Sequence, residues 1–167
     1  MRPTTIALLS FVAATVLVLA AVAASGLLLP ETVPTHFGAG GAADAWSTRT
    51  SAVTFLTIVS GGLVALFALL AWATPKMPWD WMNVPGKERW AELGRQDEVR
   101  RRLRSDILWL GTATALLNVA ITLSVVDAAR SGTDRLPTWF FLALGAWTVA
   151  IVGYAAASMV RYRTLAR

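Results

Sequence analysis

The chain has no cysteine and one histidine among its 167 residues, and only 15 % of them are charged. Without cysteine, neither a disulfide-stapled scaffold nor a cysteine-ligated metal site is possible. His36 alone also excludes a metal centre built from several histidines of one chain. Soluble domains usually carry about 25 % charged residues. The apolar fraction of 56 % excludes intrinsic disorder and leaves a membrane protein as the expected class.

Four apolar runs occupy most of the chain, at about residues 6–29, 51–73, 107–126 and 138–160. No Asp, Glu, Lys or Arg lies inside them. A crossing helix needs about 20 mostly apolar residues, and a charge at its centre costs about 2.5–3.5 kcal/mol. The sequence therefore predicts an all-α integral membrane protein with four transmembrane helices in one domain, residues 1–167. Loops 30–50, 74–106 and 127–137 connect them.

The first run shares two features with a signal peptide, namely Arg2 before it and Ala21-Val22-Ala23 within it. Its apolar stretch is longer than the roughly 7–15 residues of a signal core. We therefore expect a retained membrane anchor, with cleavage as the alternative.

The basic residues are unevenly placed, and this predicts the orientation. Twelve of the 15 lie in loop 74–106 or near the two ends of the chain, and the other three are Arg49, Arg130 and Arg135. Short segments rich in lysine and arginine stay in the cytoplasm. Both termini and loop 74–106 are thus predicted to be cytoplasmic, and loops 30–50 and 127–137 to be outside. This placement accounts for the net charge of +5 without nucleic acid as a partner.

Polar side chains are rare inside the runs, and Asn118 is the strongest of them. A hydrogen bond between helices is the favoured interpretation, and a polar path through the bundle is the alternative. Because no ionisable residue is placed inside the runs, an ion-coupled transporter is disfavoured. Small residues predict close helix packing in a compact bundle. They are Gly61, Gly62, Gly111, Ala115, Gly145 and Gly153.

Loop 30–50 has the composition of a folded loop, because prolines stiffen its start and glycines permit a tight reversal. A reversal would bring His36 near Asp44. Arg49 would then pair with Asp44 or reach a lipid phosphate, while Phe37 and Trp46 would enter the membrane interface.

Four interpretations of this loop remain open. It is a capped, internally bonded turn, a recognition surface for an extracellular ligand, a weak divalent metal site, or a catalytic site. The metal site would use His36, Asp44 and Glu31, which is a thin donor set. Catalysis lacks a nucleophile with a base and an orienting group. We therefore expect no metal, no cofactor and no enzymatic activity.

Loop 74–106 is predicted to become helical after Trp90, with Asp97–Arg101 and Glu98–Arg102 as favourable pairs that lead into the third run. Its arginine cluster either sets the topology against anionic headgroups or docks a cytoplasmic partner. The cluster comprises Arg100, Arg101, Arg102 and Arg104. The tryptophans of this loop are expected to be interface anchors rather than a docking patch. They are Trp79, Trp81 and Trp90.

Two short blocks resemble the DUF1648 domain family, the N-terminal membrane domain of proteins similar to the SdpI immunity protein. The first block comprises Pro34, His36, Gly41, Asp44, Trp46 and Arg49, with arginine where the family usually has lysine. The second block comprises Asn83, Pro85, Lys87 and Trp90. The resemblance implies a protein of the bacterial plasma membrane that combines immunity with signalling, in a four-helix form without the C-terminal domain of SdpI.

Together these observations predict a non-enzymatic membrane protein that senses, or gives immunity to, an extracellular ligand such as an antimicrobial peptide. The predicted ligand-binding residues are His36, Phe37, Gly41, Asp44, Trp46 and Arg49. Lipid or a cytoplasmic regulator would contact Asn83, Pro85, Lys87, Trp90, Arg100, Arg101, Arg102 and Arg104. The alternative is a structural or accessory subunit that binds another membrane protein. A metal-dependent membrane enzyme or a small-solute permease comes third.

Overall fold

The computed structural model describes residues 3–165, which form five α-helices and one β-hairpin. In chain order these are α1 (Pro3–Leu28), β1 (Thr32–Phe37), β2 (Ala43–Thr48), α2 (Arg49–Ala73), α3 (Lys87–Glu92), α4 (Gln96–Ser131) and α5 (Thr138–Leu165). Two 3-10 turns, Thr74–Lys76 and Trp79–Trp81, lie between α2 and α3. Arg2 and Arg167, two of the charges used to predict the orientation, lie outside the described residues.

Helices α1, α2, α4 and α5 are each long and apolar enough to cross a membrane. This confirms the prediction of four spanning helices and makes the chain a multi-pass membrane protein. Helix α4 begins at Gln96 rather than near residue 107, so it extends well into the charged loop, as the pattern after Trp90 predicts. The β-hairpin in loop 30–50 is a feature that the all-α prediction does not contain.

Capping residues and a proline define the ends of the helices. The Oγ1 atom of Thr48 accepts a hydrogen bond from the backbone N–H of Ser51 over 3.2 Å and so caps the start of α2. Helix α4 ends at Ser131 and is capped by Gly132, whose φ of 67° suits a residue without a Cβ. Pro137 directly precedes α5, where a missing N–H costs nothing.

Helix α4 is the centre of the bundle, with α1 and α2 packed along it. The helices approach closely at Gly111, where a Cβ atom would lie 2.8 Å from the Phe11 ring and 2.9 Å from Phe67 Cβ. The predicted close-packing role of Gly111 is confirmed. The prediction of close helix packing is wrong for the other four glycines, because a Cβ added there would meet nothing within 4 Å. They are Gly61, Gly62, Gly145 and Gly153.

Helix α5 lies beside this three-helix core and packs chiefly against α4. Its Trp147 indole N–H donates to the carbonyl of Ala113 over 3.0 Å, which ties the two helices together. Large apolar side chains on its other faces are exposed, including Leu142 and Val149. Helix α5 is therefore the least buried of the four spanning helices.

The predicted hydrogen bond of Asn118 is present inside the core. The hydroxyl of Ser60 on α2 donates to Asn118 Oδ1 over 3.4 Å. The Asn118 amide donates in turn to the carbonyl of Thr114 over 3.0 Å. These bonds satisfy the side-chain amide of Asn118 within the bundle, which confirms the predicted hydrogen bond between helices.

We expect Gly111→Ala to lower the unfolding free energy by about 1–3 kcal/mol, because the added methyl group overpacks a tight contact. The matched control is Gly153→Ala, which places the same methyl group in open space. Thermal unfolding of both variants in detergent micelles checks this. Equal midpoints for Gly111→Ala and the unmodified chain would contradict the packing.

Candidate functional site

Loop 30–50 folds into an antiparallel hairpin. Strand β1 pairs with β2 from Thr32↔Thr48 to Phe37↔Ala43, and a bulge interrupts the register between Pro34 and Phe37. The turn is closed by two backbone bonds, Gly38 N–H to Ala42 O at 2.9 Å and Gly41 N–H to Gly38 O at 2.8 Å. The reversal that the glycines predict is thus confirmed, with regular strands on either side.

The hairpin tip is bound to the segment between α4 and α5. Leu136 N–H donates to Gly41 O over 2.8 Å, and Ala43 N–H donates to Asp134 O over 2.8 Å. Gly41 has a φ of +75°, and a Cβ there would lie 2.9 Å from the Phe141 ring. Only glycine fits both conditions, so Gly41 has a structural role in joining loops 30–50 and 127–137 into one surface.

His36 and Asp44 meet on this surface, as the loop reversal predicts. The His36 Nδ1–H donates to Asp44 Oδ1 over 2.5 Å. Their side chains are 71 % and 54 % exposed, so the pair faces solvent or the membrane surface. A carboxylate on Nδ1 fixes the ring orientation and leaves Nε2 facing outward as an acceptor when the ring is neutral.

Arg49 does not pair with Asp44, which corrects one of its two predicted partners. Its guanidinium lies 3.5 Å from Glu31, and its backbone N–H donates to Glu31 O over 2.9 Å. Glu31 is thereby engaged at the base of the hairpin and does not join His36 and Asp44. Within residues 3–165, no three His, Asp, Glu or Cys side chains are grouped so as to hold a metal ion.

The two aromatic residues of the predicted ligand-binding set, Phe37 and Trp46, differ in their exposure. Trp46 on β2 is 48 % exposed. Phe37 is half-buried and lines a mainly apolar cleft of about 180 Å³ together with Phe140 of α5 and Leu56 of α2. We call this space the hairpin cleft. An exposed ring, a hydrogen-bonded polar pair and an apolar cleft therefore share one end of the molecule.

The second block, Asn83 to Trp90, is held by a small core of its own. Trp90 is fully buried against Val84, Val99 and Tyr162, so its prediction as an interface anchor is wrong. The ring is edge-on to Tyr162 at 6.5 Å between centroids. Trp81, by contrast, is 78 % exposed and remains suited to an interface.

The other predicted inner contacts are divided between structural and exposed positions. Lys87 donates to the carbonyl of Asp80 over 2.9 Å, whereas Asn83 is exposed and Pro85 is half-buried. Glu98 pairs with Arg102 at 2.7 Å, as predicted.

Asp97 pairs with Arg100 at 2.8 Å instead of Arg101, because an i,i+3 partner is also within reach on a helix. Arg104 is half-buried, and its Nε has no hydrogen-bond partner among the residues that the structure describes.

A polar cluster that the sequence did not reveal joins α4 to α5. Asp106 is buried, and its Oδ1 accepts hydrogen bonds from Tyr154 at 2.7 Å and from Arg161 at 2.6 Å. Its Oδ2 accepts from Tyr162 at 2.8 Å. Placing the start of the third run at Ile107 left this carboxylate just outside it, so an ionisable contact between spanning helices was missed.

One signal in the sequence points to this cluster. Arg161 and Tyr162 follow Tyr154 by seven and eight residues, about two helical turns, so all three side chains lie toward one side of the helix. Three strong donors on one face of an otherwise apolar helix require an acceptor, and Asp106 supplies it.

Comparison with known families bears on the hairpin. Residues 6–60 match the sequence model of a family described as a domain of unknown function, DUF1648. The matched segment covers most of α1, the hairpin and the first half of α2, and it contains the first block from Pro34 to Arg49 but not the second. A search of curated proteins and a search of solved structures each gave no match.

We expect Gly41→Ala to loosen the hairpin, because a residue with a Cβ costs about 1–2 kcal/mol in left-handed conformation and would press on Phe141. Gly40→Ala is the control, since its nearest neighbour would be Arg135 at 4.0 Å. Amide hydrogen exchange over residues 32–48 should rise in the first variant alone. Unchanged protection in Gly41→Ala would refute the docking of the tip.

We expect Asp106→Ala to lower the unfolding free energy by about 3 kcal/mol, because it leaves Arg161 and two hydroxyl groups without their acceptor. Asp97→Ala removes an acid from the same helix, but that acid is 80 % exposed and its loss should cost about 0–1 kcal/mol. Unfolding in detergent micelles measures both. Similar midpoints for the two variants would show that the cluster does not hold α5.

Proposed function

We propose that this protein is a non-enzymatic membrane protein that binds an extracellular peptide at the hairpin end and thereby senses it or protects the cell from it. The observation that carries the proposal is the arrangement of the hairpin surface. Trp46 and the His36–Asp44 pair are exposed on strands that main-chain bonds hold against the loop before α5. A surface that is rigid before binding loses little entropy when a ligand arrives.

The chemistry of this surface suits an amphipathic peptide. Tryptophan is enriched among the residues that dominate binding energy, and Trp46 is exposed beside the polar pair. The hairpin cleft offers apolar walls at Phe37 and Phe140 for a side chain of the ligand. Strand β2 has β1 on one edge, and among residues 3–165 its other edge is occupied by the segment before α5 only at Ala43. An extended peptide would add to the rest of that edge, residues 44–48, through main-chain hydrogen bonds.

Helix α4 supplies a route from this surface to the opposite end. Its 36 residues make a rod about 54 Å long at about 1.5 Å per residue. It contacts β1 near one end, and α3 and the Thr74–Lys76 turn near the other. A ligand that shifts the hairpin against α4 would thus also move the segment that contains the second block, Asn83 to Trp90.

The resemblance to SdpI-like proteins agrees with this function. The DUF1648 match includes the hairpin, and the signature residues His36, Asp44 and Trp46 lie together on its exposed surface. We therefore assign the protein to the bacterial plasma membrane, with the hairpin outside and loop 74–106 in the cytoplasm. This orientation follows the distribution of lysine and arginine.

An accessory subunit of a larger membrane complex is the second candidate. Helix α5 favours it, because this helix packs chiefly against α4 and exposes large apolar side chains such as Leu142 and Val152. A partner helix would cover that face as well as lipid does. In that case the chain would be unstable without its partner.

The test uses cells that lack the protein, cells that express it, and a panel of cationic antimicrobial peptides. Expression should raise the inhibitory concentration of at least one peptide, and Trp46→Ala should abolish the increase. Trp81→Ala is the matched control, because it removes an exposed tryptophan from the other end of the molecule. Equal sensitivity of all strains to every peptide would count against immunity.

Sidedness is measured in the same strains with single cysteines, since the chain has none of its own. Ala45→Cys on β2 and Glu88→Cys on α3 both occupy exposed positions. An impermeant maleimide should label Ala45→Cys in intact cells and Glu88→Cys only after the cells are opened. The reverse pattern would place the hairpin in the cytoplasm and exclude an extracellular ligand.

A further inference from the structure

A cleft of about 400 Å³ lies at the end of the molecule opposite the hairpin. The start of α1, the first third of α4 and the last part of α5 form its walls. Three guanidinium groups line it, from Arg101, Arg102 and Arg161. We call it the arginine cleft, and it does not overlap the hairpin surface.

The two acids in the arginine cleft are already occupied. Asp106 accepts hydrogen bonds from Tyr154, Tyr162 and Arg161. Glu98 accepts from Arg95 at 2.8 Å and from Arg102 at 2.7 Å. These carboxylates therefore balance positive charge on the protein instead of offering a site for a cation.

Positive charge remains uncompensated in the arginine cleft. Arg101 is exposed and forms no ion pair with any residue in the 3–165 range. Arg161 is paired with Asp106, but its side chain is 40 % exposed and remains accessible. Guanidinium groups that point into one cavity bind phosphate well, because their planar N–H groups match two phosphate oxygens at once.

The position of the cleft favours a lipid over a soluble phosphate. Asp106 lies roughly 15 Å along α4 from Gln96, about where the apolar part of the helix begins. Trp109, one turn further, lines the same cleft and is 37 % exposed, as is typical of a ring at the headgroup level. Beyond it, α1 and α5 flank α4, and α5 packs chiefly against α4, so an acyl chain can lie alongside.

We propose that the arginine cleft binds the phosphate of an anionic phospholipid, with Arg101 and Arg161 donating to its oxygens and Trp109 beside the glycerol. Basic pockets between membrane helices are suited to such headgroups. Asp106 acts here as a positioning residue, because its carboxylate holds the Arg161 guanidinium through Nη2 while the Arg161 side chain remains 40 % exposed. The proposal does not depend on the function of the hairpin.

The test measures lipid binding to the full chain in detergent by native mass spectrometry, with phosphatidylglycerol and phosphatidylcholine as probes. We expect phosphatidylglycerol to be retained preferentially. Arg101→Gln should weaken its binding about tenfold, which is the loss of one charge-assisted hydrogen bond. The control is Arg163→Gln, which removes an exposed charge of the same end that does not line the cleft.

Three outcomes would overturn the proposal. Equal retention of the two lipids would show that the cleft does not select an anionic headgroup. An equal loss of affinity in Arg101→Gln and Arg163→Gln would show that general charge at this end attracts the lipid. Inorganic phosphate that raises the thermal midpoint as much as phosphatidylglycerol does would assign the cleft to a soluble phosphate. Circular dichroism of each variant verifies that the helices are intact.

Discussion

The position of α5 depends on the carboxylate of Asp106. Apolar helix faces in a membrane gain little by meeting one another, because lipid tails contact them equally well. Polar contacts therefore decide where such a helix lies, and α5 directs Tyr154, Arg161 and Tyr162 to this one acceptor. A buried charge is costly unless it is hydrogen-bonded, and three donors satisfy both oxygens of Asp106. The same contact fixes one wall of the arginine cleft.

Helix α4 links this contact to the hairpin. It carries Asp106 near one end and meets β1 near the other, and both α1 and α2 pack along it. The close approach at Gly111 holds Phe11 and Phe67 against its middle. Because protein interiors are densely packed and resist compression, α4 is suited to carry a displacement from one end to the other. One helix thus connects the two surfaces to which we assign ligand and lipid binding.

Much of this architecture could be predicted, because it depends on local patterns. Long apolar runs define the four spanning helices, and the glycines after His36 define the reversal that brings Asp44 to it. Contacts between residues that are far apart in the chain could not be predicted in the same way. Asp106 and Tyr162 are 56 residues apart, and nothing local to Trp90 shows that Tyr162 covers it. The docking of Gly41 on Leu136 likewise joins two loops that appear independent in the sequence.

The two ends of the molecule are held by different kinds of interaction, and this has a functional consequence. Main-chain hydrogen bonds fix the hairpin, through Gly41 and Ala43, so its exposed side chains can be exchanged without loss of the framework. At the other end, the side-chain charges that join α4 to α5 are part of the framework, and Asp106 cannot be exchanged without releasing Arg161. A surface whose side chains are independent of its scaffold is suited to matching different ligands. An end whose charges are fixed is suited to a constant partner, and the membrane phosphate is such a partner.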